Sequence, residues 1–254
     1  MVSSCGRQVT PNRSASGTGI PSGYLQVKYR VAQSFDFTNY RYVIVFNTAG
    51  DGKTPYANGN TTNFQGYSFA IVLGNAMAGT TPTPQFVQYF RQPGSTLPPQ
   101  PLQIIYTPGQ LLFTPNSNGL GTEFTVQFQR ALASGYSGTA PSSSPSASPS
   151  ASPSASPSAS PSASPSASPS SSPSPSPVPS GSLASIWLFN FFTTDTSGTP
   201  LDSLGLGGAG DISFQSPVLD TTTAFDFTVN VPAGATQASN PAAQLLSGEL
   251  TNSP

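Results

Sequence analysis

The sequence predicts an all-β protein, an antiparallel β-sandwich of immunoglobulin-like or jelly-roll-like kind, interrupted by a long disordered loop. Three observations carry that prediction. Short apolar segments alternate with polar residues at period two, Gly and Pro punctuate them at short intervals, and nowhere does the 3.6-residue period of an amphipathic helix emerge. The loop is marked by Pro141–Ser180, which holds 21 Ser, 12 Pro, 6 Ala and one Val, with no charged and no aromatic side chain.

The strands are read in order. Leu25, Val27, Tyr29 and Val31 alternate with Gln26, Lys28 and Arg30, the pattern of a half-buried strand. Tyr42-Val43-Ile44-Val45-Phe46 is apolar on both faces and reads as a central strand, and Phe69-Ala70-Ile71-Val72-Leu73 reads the same way. Shorter candidates follow at 85–90, 102–106 and 111–113. Phe124, Val126 and Phe128 then alternate with Glu123, Thr125, Gln127 and Gln129. Beyond the low-complexity segment, Ile186–Phe192 is the most apolar stretch. Phe225, Phe227, Val229 and Val231 alternate with Asp226, Thr228 and Asn230, and a third strand is expected over 211–214.

Proline at nearly every fourth position from Pro145 to Pro169 removes backbone donors, and Ser and Ala offer no apolar face to bury. The segment is therefore expected to be an extended, solvated spacer, and dense Ser beside Pro is also the composition of O-glycosylated stalks. Three strands in the 70 or so residues after it are a poor basis for an independent core. The expected organisation is a flexible tether at 1–22, one split sandwich from 23–135 plus 183–232, a disordered insert at 136–182 and a C-terminal segment, 233–254, that is partly ordered at best. Two small domains on a stalk are the alternative. Charge favours the split domain: all eight basic residues precede the spacer, whereas six of the nine acids and no base follow it.

Composition removes whole classes of function. Only 7% of residues are charged, the net charge is −1 and there is no histidine. Eight cations in such a chain do not make a phosphate-binding surface, so nucleic acid is not an expected partner. Without His, Ser-His-Asp and Cys-His catalysis and the commonest transition-metal ligand are gone. No run approaches the ~20 apolar residues of a membrane span.

Cys5 is the only cysteine. Val2-Ser3-Ser4-Cys5 resembles the last four positions of a bacterial lipobox, and with its low-complexity spacer the chain resembles bacterial lipoproteins generally. That resemblance implies lipidation at Cys5, an extracytoplasmic location and membrane attachment by lipid alone. The pattern also places a basic and then an apolar stretch of about 7–15 residues ahead of the lipobox. Neither precedes Cys5 here, so the expectation is an upstream coding segment, with an incidental thiol on a frayed end as the alternative.

Candidate sites are sparse. Oxygen-rich loops at 47–60 (Asp51, Asn58, Asn60), 195–202 (Asp195, Asp202) and 205–211 (Asp211) suit calcium, although Asn, Asp and Gly are equally what tight turns demand. The run Gly205-Leu206-Gly207-Gly208-Ala209-Gly210 lacks the strand-to-helix setting of a dinucleotide fingerprint. Tyr56, Phe64, Tyr67, Tyr106 and Tyr136 stand in loop-like contexts and could stack on sugar rings, while Trp187 falls in a core strand. Paired carboxylates could serve a hydrolase, but most acids fall on wet strand faces or in turns. The functional expectation is an exported, lipid-anchored envelope protein whose non-catalytic sandwich is a binding or structural module without a cofactor. Its partners would be cell-wall polysaccharide or an envelope protein. A carbohydrate- or cell-wall-binding module and a carboxylate-dependent hydrolase are the alternatives.

Overall fold

The computed structural model describes residues 19–57, 64–65, 68–75, 77, 80–90, 96, 100–115, 121–133, 185–208, 211 and 213–254, with backbone alone at 56–57, 64–65 and 90. Cys5, Asn58, Asn60, Tyr67, Tyr136 and the segment 134–184 lie outside the described residues, as do the side chains of Tyr56 and Phe64. Fourteen strands run in chain order: β1 (Tyr24–Val31), β2 (Tyr40–Asn47), β3 (Tyr56–Ala57), β4 (Phe64–Gln65), β5 (Phe69–Leu73), β6 (Gln85–Phe90), β7 (Gln100–Ile104), β8 (Leu111–Pro115), β9 (Glu123–Gln129), β10 (Ile186–Asp195), β11 (Pro200–Ser203), β12 (Leu219–Asp220), β13 (Phe225–Asn230) and β14 (Leu245–Asn252). Among the described residues the only helical element is a 3-10 turn at Arg130–Ala133.

Twelve of these strands form two antiparallel sheets. The first has the order β13-β14-β1-β9-β8, and the second has β11-β10-β2-β5-β6-β7, with β12 also on β10. The sheets pack face to face as a sandwich, as the alternation of Leu25, Val27, Tyr29 and Val31 requires, since all four are buried. Strands from both sides of the low-complexity segment are interleaved in each sheet. β1 lies between β9 and β14, and β2 lies between β5 and β10, paired with β10 from Leu188↔Asn47 to Asp195↔Tyr40.

Burial dominates this association. A single ion pair among the described residues, Lys28 Nζ to Glu249 Oε1 at 2.6 Å, joins the basic front to the acidic back. Part-exposed pairs of this kind contribute at most about 1 kcal/mol. By contrast Trp187, Phe189 and Phe191 of β10 enter the same core as Tyr29, Phe46 and Phe124. The second sheet is apolar on its outer face too: Val43, Val45, Ala70, Val87, Tyr89 and Phe192 form a separate buried cluster, which is why Tyr42–Phe46 shows no alternation. Pro55, beyond the end of β2, meets this face, where its carbonyl oxygen accepts a bond from Asn190 Nδ2 at 3.0 Å.

Two expectations are corrected. The segment 233–254 is not marginal, because β14 pairs with both β1 and β13 and Leu250 and Asn252 are fully buried. Its alternation is masked by Gly248, whose missing side chain makes room for Phe191: a Cβ there would stand 2.5 Å from Cε2 of that ring. The strand expected at 211–214 does not form, because the Asp211 carboxylate accepts bonds from the amides of Gly207 and Ser213 and turns the backbone.

The chain ends converge at one end of the sandwich. Gly23 N donates to Ser253 O at 2.9 Å, Ser253 N to Tyr24 O at 3.1 Å and Arg130 N to Gly23 O at 3.0 Å. Arg130 Nη1 also donates to Thr221 O, and Thr221 N donates to Ser185 O at 2.8 Å. The last described residues before 134–184 and the first after it are thus held at one place, Thr221.

Two outcomes follow. Proteolytic cutting within 141–180 is expected to leave the flanking pieces co-eluting in native size-exclusion chromatography; separate elution would contradict the interleaving. Tyr29→Phe removes the buried hydroxyl that donates to Phe192 O and lies beside Thr193 Oγ1. It is expected to cost about 1–3 kcal/mol in denaturant unfolding.

Candidate functional site

The four aspartates expected in oxygen-rich loops are not brought together. Each is consumed by its own surroundings, and no group of three or more metal-ligating side chains occurs among the described residues. Asp51 Oδ1 accepts Asn47 Nδ2 at 2.6 Å and Lys53 N at 3.2 Å. Asp195 Oδ1 accepts Ser197 Oγ at 2.6 Å and Thr199 N at 2.8 Å, closing the β10–β11 hairpin. Asp211 takes Gly207 N at 2.6 Å and both the amide and hydroxyl of Ser213. The glycine run has its explanation here, since a Cβ on Gly205 would collide with the Asp211 carboxylate.

Asp202 departs furthest from its expected setting. It is fully buried on β11, where its Oδ1 accepts Ser203 N at 2.9 Å and its Oδ2 accepts Leu245 N at 3.0 Å, with Ala238 N at 3.5 Å. It therefore ties the second sheet to the start of β14 in the first. Burial pushes its pKa above the ordinary 3.8 against the opposing pull of these amides. Sequence gives no sign of this, because a polar residue in a short strand between two turn-rich loops looks wet.

Two hollows are lined by described residues. The first lies at the open edge where β7 leaves for β8; it encloses about 450 Å³ and is lined by Thr83, Pro84, Gln85, Gln103, Ile105 and Tyr106. Tyr106, expected to be an exposed platform, is only half-exposed, with its hydroxyl donating to Pro84 O, and burial raises its pKa. Ile105 beside it is 94% exposed.

The second hollow, about 440 Å³, opens between the start of β2, the β10–β11 hairpin and the loop before β14. Its lining includes Tyr40, Asp195, Leu201, Gln237, Ser239 and Asn240. Tyr40 and Asp195 are direct cross-strand partners. The loop is fixed in place: Asn240 Oδ1 accepts Ala242 N at 2.9 Å, Gln237 Nε2 donates to Leu245 O at 3.3 Å and Gln244 Nε2 donates to Ala238 O at 2.8 Å. Burial raises the Asp195 pKa, but the bonds from Ser197 and Thr199 outweigh it and hold the carboxyl below its ordinary value, so it is ionised at neutral pH. Sequence reasoning named Asp195 for calcium and missed Tyr40, which looks like one more strand residue until its partner across the ladder is known.

Among the described residues, the fold is an all-β sandwich that bears these two concave sites. No protein-family model, curated protein or solved structure matches the chain.

Stability should depend on pH with two opposed limbs. Asp51, Asp195, Asp211 and Asp220 are held below 3.8, so what they contribute is present above that value and is lost as pH falls through their folded pKa values. Asp202 is held above 3.8, so its contribution is full at lower pH and is lost as pH rises through its folded pKa. Thermal melts should show a falling limb on the alkaline side of 3.8 that Asp202→Asn flattens. Persistence of that limb in the variant would assign it elsewhere.

Proposed function

We propose that this chain is an exported, non-catalytic binding module, tethered through Cys5 to the cell envelope, that presents a ligand site at the end of the sandwich away from its tether. One observation carries the reading: the first described strand is entered at one end of the sandwich and the hollow opens at the other. The chain enters at Gly23, beside Ser253, Arg130 and Thr221. The hollow at Tyr40 and Asp195 lies at the other end of the same strands, since β2 runs from Tyr40 to Asn47 against β10 and β14 runs from Leu245 to Asn252 against β1. A strand of eight residues separates the two by roughly 25 Å. A tethered binder needs its ligand contacts on the side facing away from the anchor, and this arrangement supplies that.

A carbohydrate- or cell-wall-binding reading at Tyr106 has its own support in the edge hollow and in the exposure of Ile105. The full chain is expected to be retained on insoluble peptidoglycan, chitin or cellulose, and Ile105→Asp or Tyr106→Ala to reduce retention if this edge is used. Retention on none of the three removes the polysaccharide reading. For the tether, the gene expressed with its upstream sequence should yield a protein that incorporates labelled palmitate, with Cys5→Ala abolishing the label. An unlabelled wild-type protein would sink the anchor.

A further inference from the structure

The hollow at the far end of the sandwich has a chemistry that selects among ligands. We propose that it is a binding site for a neutral saccharide unit, contacted by Tyr40, Asp195, Gln237 and Asn240; this rests on the binding-module reading and gives it a substrate class. The volume of about 440 Å³ falls within the ~300–1,000 Å³ of small-molecule sites. Its lining combines three elements that a pyranose ring needs together. Tyr40 supplies an aromatic surface for the C–H groups of a sugar face and is itself anchored, with its backbone amide donating to Asp36 O at 2.9 Å and its ring packed against the core. Asp195 supplies an ionised acceptor in the lining, held in place by the Ser197 hydroxyl and the Thr199 amide on Oδ1. Gln237 and Asn240 stand on an exposed loop ordered through Gln237 Nε2 and Asn240 Oδ1, and their other amide atoms, Gln237 Oε1 as acceptor and Asn240 Nδ2 as donor, have the chemistry to meet hydroxyl groups.

Charge decides between sugar classes. An ionised carboxylate lines the hollow and no Lys or Arg does, so a uronate, phosphate or sulfate ester would meet repulsion without a counter-charge. Catalysis is not part of the proposal, because Asp195 stands without a second carboxylate in the lining.

The test uses the full chain and saturation-transfer-difference NMR with the methyl glycosides of glucose, galactose, mannose and N-acetylglucosamine, their β-linked oligomers, and galacturonate as the anionic counterpart. At least one neutral probe should give a signal, galacturonate none. Asp195→Asn keeps an acceptor for the Thr199 amide but removes the charge, and Ser239→Arg fills the hollow from an exposed rim position. Each is expected to weaken binding by about tenfold or more, one broken charged hydrogen bond or more in free-energy terms. Unchanged melting temperatures would show that the variants are folded. Neutral-probe binding that survives both variants but is lost in Ile105→Asp would overturn this site while leaving the binding module standing at the other hollow. Equal binding of galacturonate would overturn the charge argument, and no signal from any probe would overturn the saccharide class itself.

Discussion

The phenol of Tyr29 is the interaction on which the relation of the two sheets depends. It rises from β1 in the first sheet, stacks on Phe124 with ring centroids 5.1 Å apart, meets Tyr42 edge-on at 5.7 Å and reaches Phe191 at 5.5 Å. Its hydroxyl then donates to Phe192 O at 2.7 Å in the second sheet and lies 3.1 Å from Thr193 Oγ1. Apolar contacts between sheets are tolerant of sliding, because dispersion and solvent exclusion have no direction. A buried hydroxyl with one backbone acceptor within reach is not tolerant, since losing that bond leaves both groups desolvated. Burial holds the Tyr29 pKa well above its ordinary value, so the donor is permanent at any physiological pH. Gly248 makes the approach possible from the other side, leaving space for Phe191 directly across from Tyr29 in the β1–β14 ladder.

With the sheets in register, the loops sort themselves to two ends. Asn252, buried at the end of β14, donates to Thr221 O at 3.2 Å and Thr223 O at 2.6 Å, and Thr221 in turn holds Ser185 and Arg130. Closing a loop costs free energy that rises only with the logarithm of its length, so fifty residues between 134 and 184 are tolerable where the two anchoring points are already fixed. At the opposite end the buried Asp202 performs the corresponding task with an ionisable group, bonding backbone amides of β14 and of the preceding loop. A neutral amide in its place would offer one acceptor where the carboxylate offers two. The same end therefore has a pH-dependent closure and, next to it, the hollow at Tyr40.

What could be read from the sequence follows from which residues announce their surroundings. β1, β9 and β13 were legible because one face of each is wet, and β2 and β5 because neither is. β14 was not, because Leu245–Asn252 holds Gly248 at a position where its neighbours on the inner face would lead one to look for a large apolar residue, and Phe191 supplies that bulk from the other sheet. Asp202 was illegible for the converse reason: burial of a carboxylate is set by backbone amides forty residues away, which no local pattern encodes. Of the oxygen-rich segments, Asp202 lies in β11 rather than in a loop, whereas the carboxylates of Asp51, Asp195 and Asp211 serve their own turns. The pairing of Tyr40 with Asp195 spans the whole low-complexity segment and exists only in the fold.

The scarcity of charge, 7% of residues, has a structural origin that also bears on where a ligand can bind. In a two-layer sandwich each sheet ordinarily offers one wet face. Here the outer face of the second sheet is closed over its own apolar cluster, and Asn190, fully buried beside Phe192, finds its partner in Pro55 O rather than in water. Only the first sheet keeps a broad polar face, a ladder in which Thr251, Gln26 and Gln127 lie side by side and Glu249, Lys28 and Thr125 form the next row. Cross-strand polar neighbours of this kind can satisfy one another, as Lys28 and Glu249 do. Among the described residues, the two hollows lie at an open edge and at one end of the sandwich. Of the two, the one at Tyr40 and Asp195 brings an aromatic residue, an ionised acceptor and amide-bearing residues together in one lining.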